Sequence, residues 1–432
     1  MSSNSSPQLK TWRKVKLREV VEIIDGDRGV NYPKNNEFLS GGDCVFLNAK
    51  NVSGTNFDFT DVQFITKDKD QLMRSGKMKR GDFVLTTRGT VGNIAYYGDD
   101  MSYDNVRINS GMVILRPQKD VINEKFFHLF LISQNFRNQI EAIKSGSAQP
   151  QLPIRDLKLF EINLPSIDRQ KNIAQTLFPI NDKIELNNKI SKNLEAMAQA
   201  IFKEWFIEFN FPVELVKSEK LKVKSKGYKD AGGKMVDSEL GKIPEEWRVG
   251  KLGEIVNLIR ERVRNYKEWQ NEKLLDLGRF PTKSLAMVSF GKGGEMTTSV
   301  FRFRKFDILF GAIRPYFHKV LIAPFNGVTN SSVFVIHPKQ DIFWSFLVTI
   351  LFSERTISYA TQCSSGTKMP VVKWEDLCDM PIIIPDIAIV KSFDNKVGSF
   401  YKKIIKLVEE NQTLSSLRDL LLPKLMSGEI RI

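Results

Sequence analysis

The chain reads SGSAQPQLPIRDLKLFEINLP from Ser145 to Pro165 and SSGTKMPVVKWEDLCDMPIIIP from Ser364 to Pro385. No other feature constrains the fold as much, because a sequence that repeats itself must fold as two copies of one module. Gly146, Pro150, Asp156, Leu157, Ile162 and Pro165 align at a constant offset with Gly366, Pro370, Asp376, Leu377, Ile382 and Pro385. Upstream, Asn109, Ser110, Pro117 and Asp120 match Asn330, Ser331, Pro338 and Asp341. Asp82 with Phe83-Val84-Leu85 matches Asp307 with Ile308-Leu309-Phe310, and Trp12, Leu17 and Glu19 match Trp247, Leu252 and Glu254. The offset drifts steadily while the order is kept, as in diverged copies with unequal loops.

Within each copy the pattern is mixed. VFLNA, DFVLTT, NIAYY and GMVILRP are short strand-like runs bounded by Gly, Asp and Asn. NEKFFHLFLISQNFRNQIEAI spaces its apolar residues like a helix, with Asn123 placed to cap it; Asp341 is placed to cap its counterpart. After each terminal Pro the pattern changes to long helical stripes. Ile173, Leu177, Ile180, Ile184, Leu194, Met197 and Ile201 form the first, with Trp205 at its end. Val390, Phe393, Val397, Tyr401, Ile404, Leu414, Leu417 and Leu421 form the second. Such stripes mark helices that pair along their length, and Asn187 and Asn411 fall where a polar residue fixes register.

The expected organisation is a disordered tail over 1–11, a domain over 12–165, a long helix over 166–210, a linker over 211–239, a second domain over 240–385, and a second long helix with the C-terminal tail over 386–432. The fold class is α+β: two similar mixed α/β domains joined by two long helices that pair as a coiled coil, a pseudo-twofold internal repeat.

The net charge is +14, which favours a polyanionic partner. No apolar run is long enough for a membrane span, and the start lacks the core of a signal peptide. Cys44, Cys363 and Cys378 have no paired spacing, which fits a reducing cytoplasm and excludes a cysteine-based zinc site. No P-loop, Rossmann fingerprint, H-E-x-x-H or G-x-S-x-G is present, nor the Asn/Asp-Pro-Pro-aromatic motif of an adenine methyltransferase. The chain has three histidines; His128 sits in an apolar helix and reads as a packed residue, and His337 stands where the other copy has Arg116. Asp386, Asp394 and Lys396 imitate a nuclease triplet, but Asp394 and Lys396 lie inside the helical stripe, whereas a metal site needs converging carboxylates. No catalytic residue, metal ligand or cofactor site is assigned.

A basic, duplicated chain without catalysis suggests recognition of a two-part nucleic-acid site. Loops rich in Arg, Lys, Asn, Gln, Ser and Thr carry such contacts. The first copy offers Thr86, Thr87, Arg88 and Asn93, then Asn105 and Arg107, then Ser147, Gln149 and Gln151. The second offers Arg302, Arg304 and Lys305, then Arg314, Tyr316, His318 and Lys319, then Thr329 and Asn330, then Thr367 and Lys368. A helix of about 36 residues spans roughly 50 Å, enough to hold two readers about one ~34 Å turn of DNA apart. A stand-alone DNA-binding regulator with a helical spacer is the competing reading.

INLPSIDRQKNIAQTL, IFKEWFIEFNFP, SELGKIPEEW and LLPKLMSGEIRI, in this order, resemble the specificity subunits of type I restriction-modification systems over essentially the whole chain. The resemblance implies two target recognition domains, each reading half of a bipartite double-stranded DNA sequence in the major groove. It implies that the long helices run antiparallel, act as a ruler and seat two modification subunits. Those subunits would bind S-adenosylmethionine and methylate adenine N6, and restriction subunits using ATP and Mg would join the larger complex. One departure stands out: the first copy has Asp168-Arg169-Gln170 after its Pro, and the second has Ala388-Ile389-Val390.

Overall fold

The computed structural model describes residues 12–54, 56–143, 151–215, 227–287, 289–298, 300–427 and 429–430. The expected tail over 1–11, part of the expected linker, Ser147 and Gln149 lie outside them. The chain divides into two compact units, residues 1–182 with 414–432, and residues 183–413.

The first unit is organised by a four-stranded antiparallel sheet in the order Val21–Asp25, Met112–Pro117, Asp82–Thr86, Ile94–Tyr97. DFVLT is buried along its whole length, which suits an internal strand covered on both faces. One cover is the helix Glu124–Ile132, whose Phe127 ring meets Phe83 edge-on at 5.3 Å. Asn123 caps it by accepting from the Phe126 amide at 3.1 Å. The other face carries a smaller sheet in the order Gln63–Ile65, Cys44–Leu47, Val106–Ile108. An antiparallel ribbon of Arg13–Lys16 with Glu161–Leu164 completes the unit.

The second unit repeats this plan. Its four-stranded sheet runs Val256–Ile259, Val333–Pro338, Ile308–Gly311, Val320–Ile322, and its ribbon pairs Arg248–Lys251 with Pro381–Ile384. The smaller sheet has grown to five strands, in the order Arg262–Val263, Val300–Phe303, Gly327–Thr329, Lys273–Leu274, Gly291–Lys292. The repeat holds to single hydrogen bonds. The Leu17 amide donates to Phe160 O at 2.7 Å, and Leu252 to Met380 O at 2.9 Å. Glu19 accepts from the Lys16 amide at 2.9 Å, and Glu254 from Lys251 at 2.8 Å. The α+β repeat expected from the sequence is the fold.

Two local expectations change. Asp341 does not cap a helix: it opens a 3-10 turn, Asp341–Phe343, and the helix Trp344–Leu351 starts only after it. Its carboxylate lies 3.6 Å from His337 Nε2 instead. The Lys-rich stretch before Trp247 ends in folded structure. Tyr228 stacks on Phe211 at 4.7 Å, Phe211 stacks on Trp247 at 5.1 Å, and Met235–Ser238 pairs with Gly241–Pro244.

The long helices are Ile167–Phe202, extended by a π-helical turn over Lys203–Ile207, and Ile387–Ser427. In the second unit Asn187 meets Asn411, and the Phe202 ring meets Phe393 at 6.1 Å, so the helices run antiparallel. The fully buried Asn187 donates to Asn411 Oδ1 at 2.9 Å and to Glu410 at 3.1 Å, and Asn411 donates to Asn188 at 2.9 Å. In the first unit Ile173 and Leu177 share a core with Leu422, Leu425 and Met426. Most of the predicted stripe is buried or half-buried, but Met197 is 50% exposed and Leu417 is 44% exposed. A 3.5-residue count drifts on a 3.6-residue helix, so Ala198 and Phe202 turn inward in place of Met197, and Leu422 and Leu425 in place of Leu417.

Candidate nucleic-acid interface

Each unit brings two loops together at the same place. In the first, the loop between Asp82–Thr86 and Ile94–Tyr97 turns on Gly89 and Gly92, both at positive φ (+73° and +99°) where other residues would be strained. The Leu152 amide donates to Thr87 O at 2.9 Å, and Arg88 bridges Gln151 through the backbone. Arg88 and Gln151 are exposed, side by side. In the second unit the Val372 amide donates to Ala312 O at 3.0 Å, and Ile313 bridges Val371. Arg314 donates from its amide to Pro370 O at 2.7 Å and from Nη2 to Lys368 O at 3.3 Å. Arg314, Tyr316, Thr367 and Lys368 therefore form one cluster, with Tyr316, Thr367 and Lys368 exposed.

Other predicted contacts are committed to the fold. Thr86 is buried and accepts from the Asn93 amide at 3.0 Å. Thr87 is buried and donates to Gly111 O at 3.1 Å. Asn93 donates to Val52 O at 2.9 Å, and Asn105 to Asp43 O at 2.9 Å. Arg107 is buried, ion-paired with the buried Asp70, and donates to Asp70 O at 2.6 Å and Ser75 O at 2.7 Å. Burial pushes the Asp70 carboxyl up, but hydrogen bonds from Lys77 and Arg107 prevail and hold it below the usual range. Removing one partner of such a buried pair costs about 3–5 kcal/mol, so Arg107 is a folding residue.

In the second unit Thr329 is buried on Leu275 O at 2.5 Å, and Asn330 accepts from the Ser332 amide at 3.0 Å. His318 is buried, with Nε2 on Phe352 O at 2.9 Å; burial holds its pKa down, against the pull of Glu354. Lys319 donates to Leu277 O, and burial lowers its pKa as well. Arg302 pairs with Glu272 at 3.0 Å, and Lys305 pairs with Glu409. Arg304 is 82% exposed and only 3.9 Å from Glu261. The two carboxylates of the nuclease-like triplet are likewise engaged: Asp394 accepts from Ser345 Oγ at 2.5 Å, and Asp386 from the Ala388 amide at 2.7 Å. Sequence reasoning missed Phe317, 43% exposed beside Tyr316; the signal was Pro315, which fixes the turn that presents it.

The family described as type I restriction modification DNA specificity domain matches residues 9–196 and again 244–415. The chain belongs to that family. The double match of this specificity domain follows the internal repeat. The type I restriction enzyme HindI specificity subunit of Haemophilus influenzae is 26% identical over 465 residues, covering 94% of this chain and 98% of that protein. The MjaIX specificity subunit of Methanocaldococcus jannaschii is 26% identical over 440 residues, covering 98% and 94%. The crystal structure of the type I restriction-modification S subunit from M. genitalium shares the fold, with a TM-score of 0.52 at 15% identity over 98% of this chain and 99% of that one. Specificity subunits recognise DNA and carry no catalysis of their own. No helix among the described residues is long and apolar enough to cross a membrane.

Proposed function

We propose that this specificity subunit reads a bipartite double-stranded DNA target, one half through each recognition domain (12–165 and 240–385). The observation that carries the reading is the paired-loop cluster, built on equivalent backbone bonds in both units but with different side chains at its tip. An unchanged frame with changed tips is what two readers of different half-sites require. The exposed Arg88 and Gln151 in one unit, and Arg314, Tyr316, Thr367 and Lys368 in the other, are the proposed contacts; Arg304 is a candidate for phosphate. The antiparallel helices set the gap and seat two modification subunits, which use S-adenosylmethionine to methylate adenine N6. Restriction subunits using ATP and Mg complete the larger assembly in the cytoplasm.

Co-expression with the neighbouring modification subunit, followed by mapping of N6-methyladenine, tests this. The expected result is a split motif with a fixed gap. A continuous motif, or none, rejects the two-reader assignment. Nanomolar, specific DNA binding by the chain alone at physiological salt would favour a stand-alone regulator; weak, salt-sensitive binding is expected.

A further inference from the structure

The second unit's loop cluster contains a feature that the first lacks. Pro315–Phe317 forms a 3-10 turn flanked on both sides by non-glycine residues in the left-handed region, Arg314 at φ +49° and His318 at φ +51°. Such strain persists only where the surroundings impose it, and it concentrates at functional sites. Here the surroundings do impose it. The Arg314 amide is held by Pro370 O, the His318 ring by Phe352 O, and His318 O accepts from the Lys283 amide at 3.0 Å. Pro315 is buried. On this rigid base stand Tyr316, 49% exposed, and Phe317, 43% exposed, with ring centroids 4.8 Å apart and planes at 57°. The equivalent tip of the first unit is Gly89, Thr90, Val91 and Gly92, which offers no ring.

We propose that Tyr316 and Phe317 form an aromatic wedge that enters a base step of the second half-site. This rests on the reading that the loop clusters face DNA. Adjacent exposed rings are costly to hold in water, and a rigid turn gives them no way to fold back. An opened base step offers what they lack, a flat π-surface on each side, and wedges of this kind partly unstack and kink duplex DNA. The neighbouring Thr367 and Lys368 are exposed in the same cluster and suit the flanking backbone.

The experiment uses the subunit assembled with its modification subunit and duplexes of the mapped target. 2-Aminopurine replaces successive bases, since its fluorescence rises when it unstacks. Apart from the target adenines, which the modification subunits extrude in both halves, the wild-type complex is expected to give a rise at one further step of the second half and at none of the first. Tyr316→Ala with Phe317→Ala should abolish that rise and weaken binding on the order of tenfold or more. Tyr316→Phe should restore both, because stacking uses the ring and not the hydroxyl. The wedge is overturned if the double variant keeps the rise. It is also overturned if no step other than the target adenines rises in the wild type, or if the double variant no longer joins the modification subunit, which would make the rings a protein contact. Absence of any split target overturns the two-reader assignment and the wedge with it; a split target without the further rise overturns the wedge alone.

Discussion

The two units solve the same backbone problem with different side-chain chemistry. In the first, the long helix is tied to its domain by the buried Gln170, which accepts from the Asn123 amide at 2.7 Å and donates to Pro165 O at 2.9 Å and Val121 O at 3.2 Å. At the equivalent place the second unit has Val390, buried in an aromatic-rich core with Phe393, Trp205, Phe206 and Phe346. The buried carboxylate at the edge of the central sheet tells the same story. Asp82 is clamped by Arg116 with two bonds of 2.8 Å, whereas Asp307 meets His337 Nδ1 at 3.0 Å. Positions that hydrogen-bond in the first unit are apolar or more weakly paired in the second. A duplicated fold conserves its backbone bonds and leaves each side chain free to drift, provided its neighbours compensate.

If the second unit depends more on buried area, truncating its core should do more harm. Phe393→Ala is expected to cost about 3–5 kcal/mol, since it empties a site between Phe206 at 5.0 Å and Trp205 at 5.9 Å. The equivalent Ile173→Ala in the first unit should cost less, about 2–3 kcal/mol. Urea unfolding of the full chain measures both, and a larger loss for Ile173→Ala would break the contrast. The polar joint makes the opposite claim. Gln170→Val should cost about 2–3 kcal/mol, because it strands an amide and two carbonyls that are bonded now. A neutral Gln170→Val would show that the tie does not hold the helix.

The sequence made the frame legible because the frame is what the copies share. Spacing along the chain revealed the strands, the Asn123 cap and the helical stripes. It could not reveal occupancy. Arg107 looks available until Asp70, 37 residues away, is brought against it, and His318 until Phe352 O closes over it. A loop residue's partner is set by tertiary approach, which local pattern does not encode. The same limit explains Met197 and Leu417: periodicity gave the stripe, but the inward face depends on where the helices and domains meet.

Acid should also separate the units. His128 is buried among the rings of Phe83, Tyr96 and Phe178, and burial, with Arg418 adding to it, lowers its pKa from 6.5 to about 4. Between these values the unfolded chain takes up the proton and the folded chain does not. Its neutral form is therefore accommodated above about pH 6.5, and stability falls as pH drops toward 4. The loss reaches about 2 kcal/mol at pH 5. The equivalent residue of the second unit, at the offset that pairs Ser133 with Ser353, is Val348. His128→Val should then remove much of the drop in unfolding midpoint between pH 7 and pH 5. The smaller drop left over is assigned to His318, which burial also holds down. An unchanged drop in the variant would place the acid sensitivity elsewhere.

The smallest effect on stability lies where the two helices meet, and there too the copies differ. At the offset shared by the helices, Asn187 corresponds to the buried Leu407, and Asn411 corresponds to Ser191. The polar layer is thus an asymmetric lock, and Asn187 Oδ1 within it has no hydrogen-bond partner among the described residues. A lock of this kind sets register at the expense of stability. Asn187→Leu with Asn411→Leu should raise stability by about 1 kcal/mol, because the unpaired oxygen goes and apolar contact replaces it. It should at the same time loosen the register, since leucines accept neighbouring alignments that the amide pair refuses. Methylation of targets with the gap lengthened or shortened by a base pair reads this directly. Relaxed gap preference with higher stability is the expected pair of outcomes, and an unchanged gap preference would mean that the surrounding cores, and not the asparagines, fix the spacing.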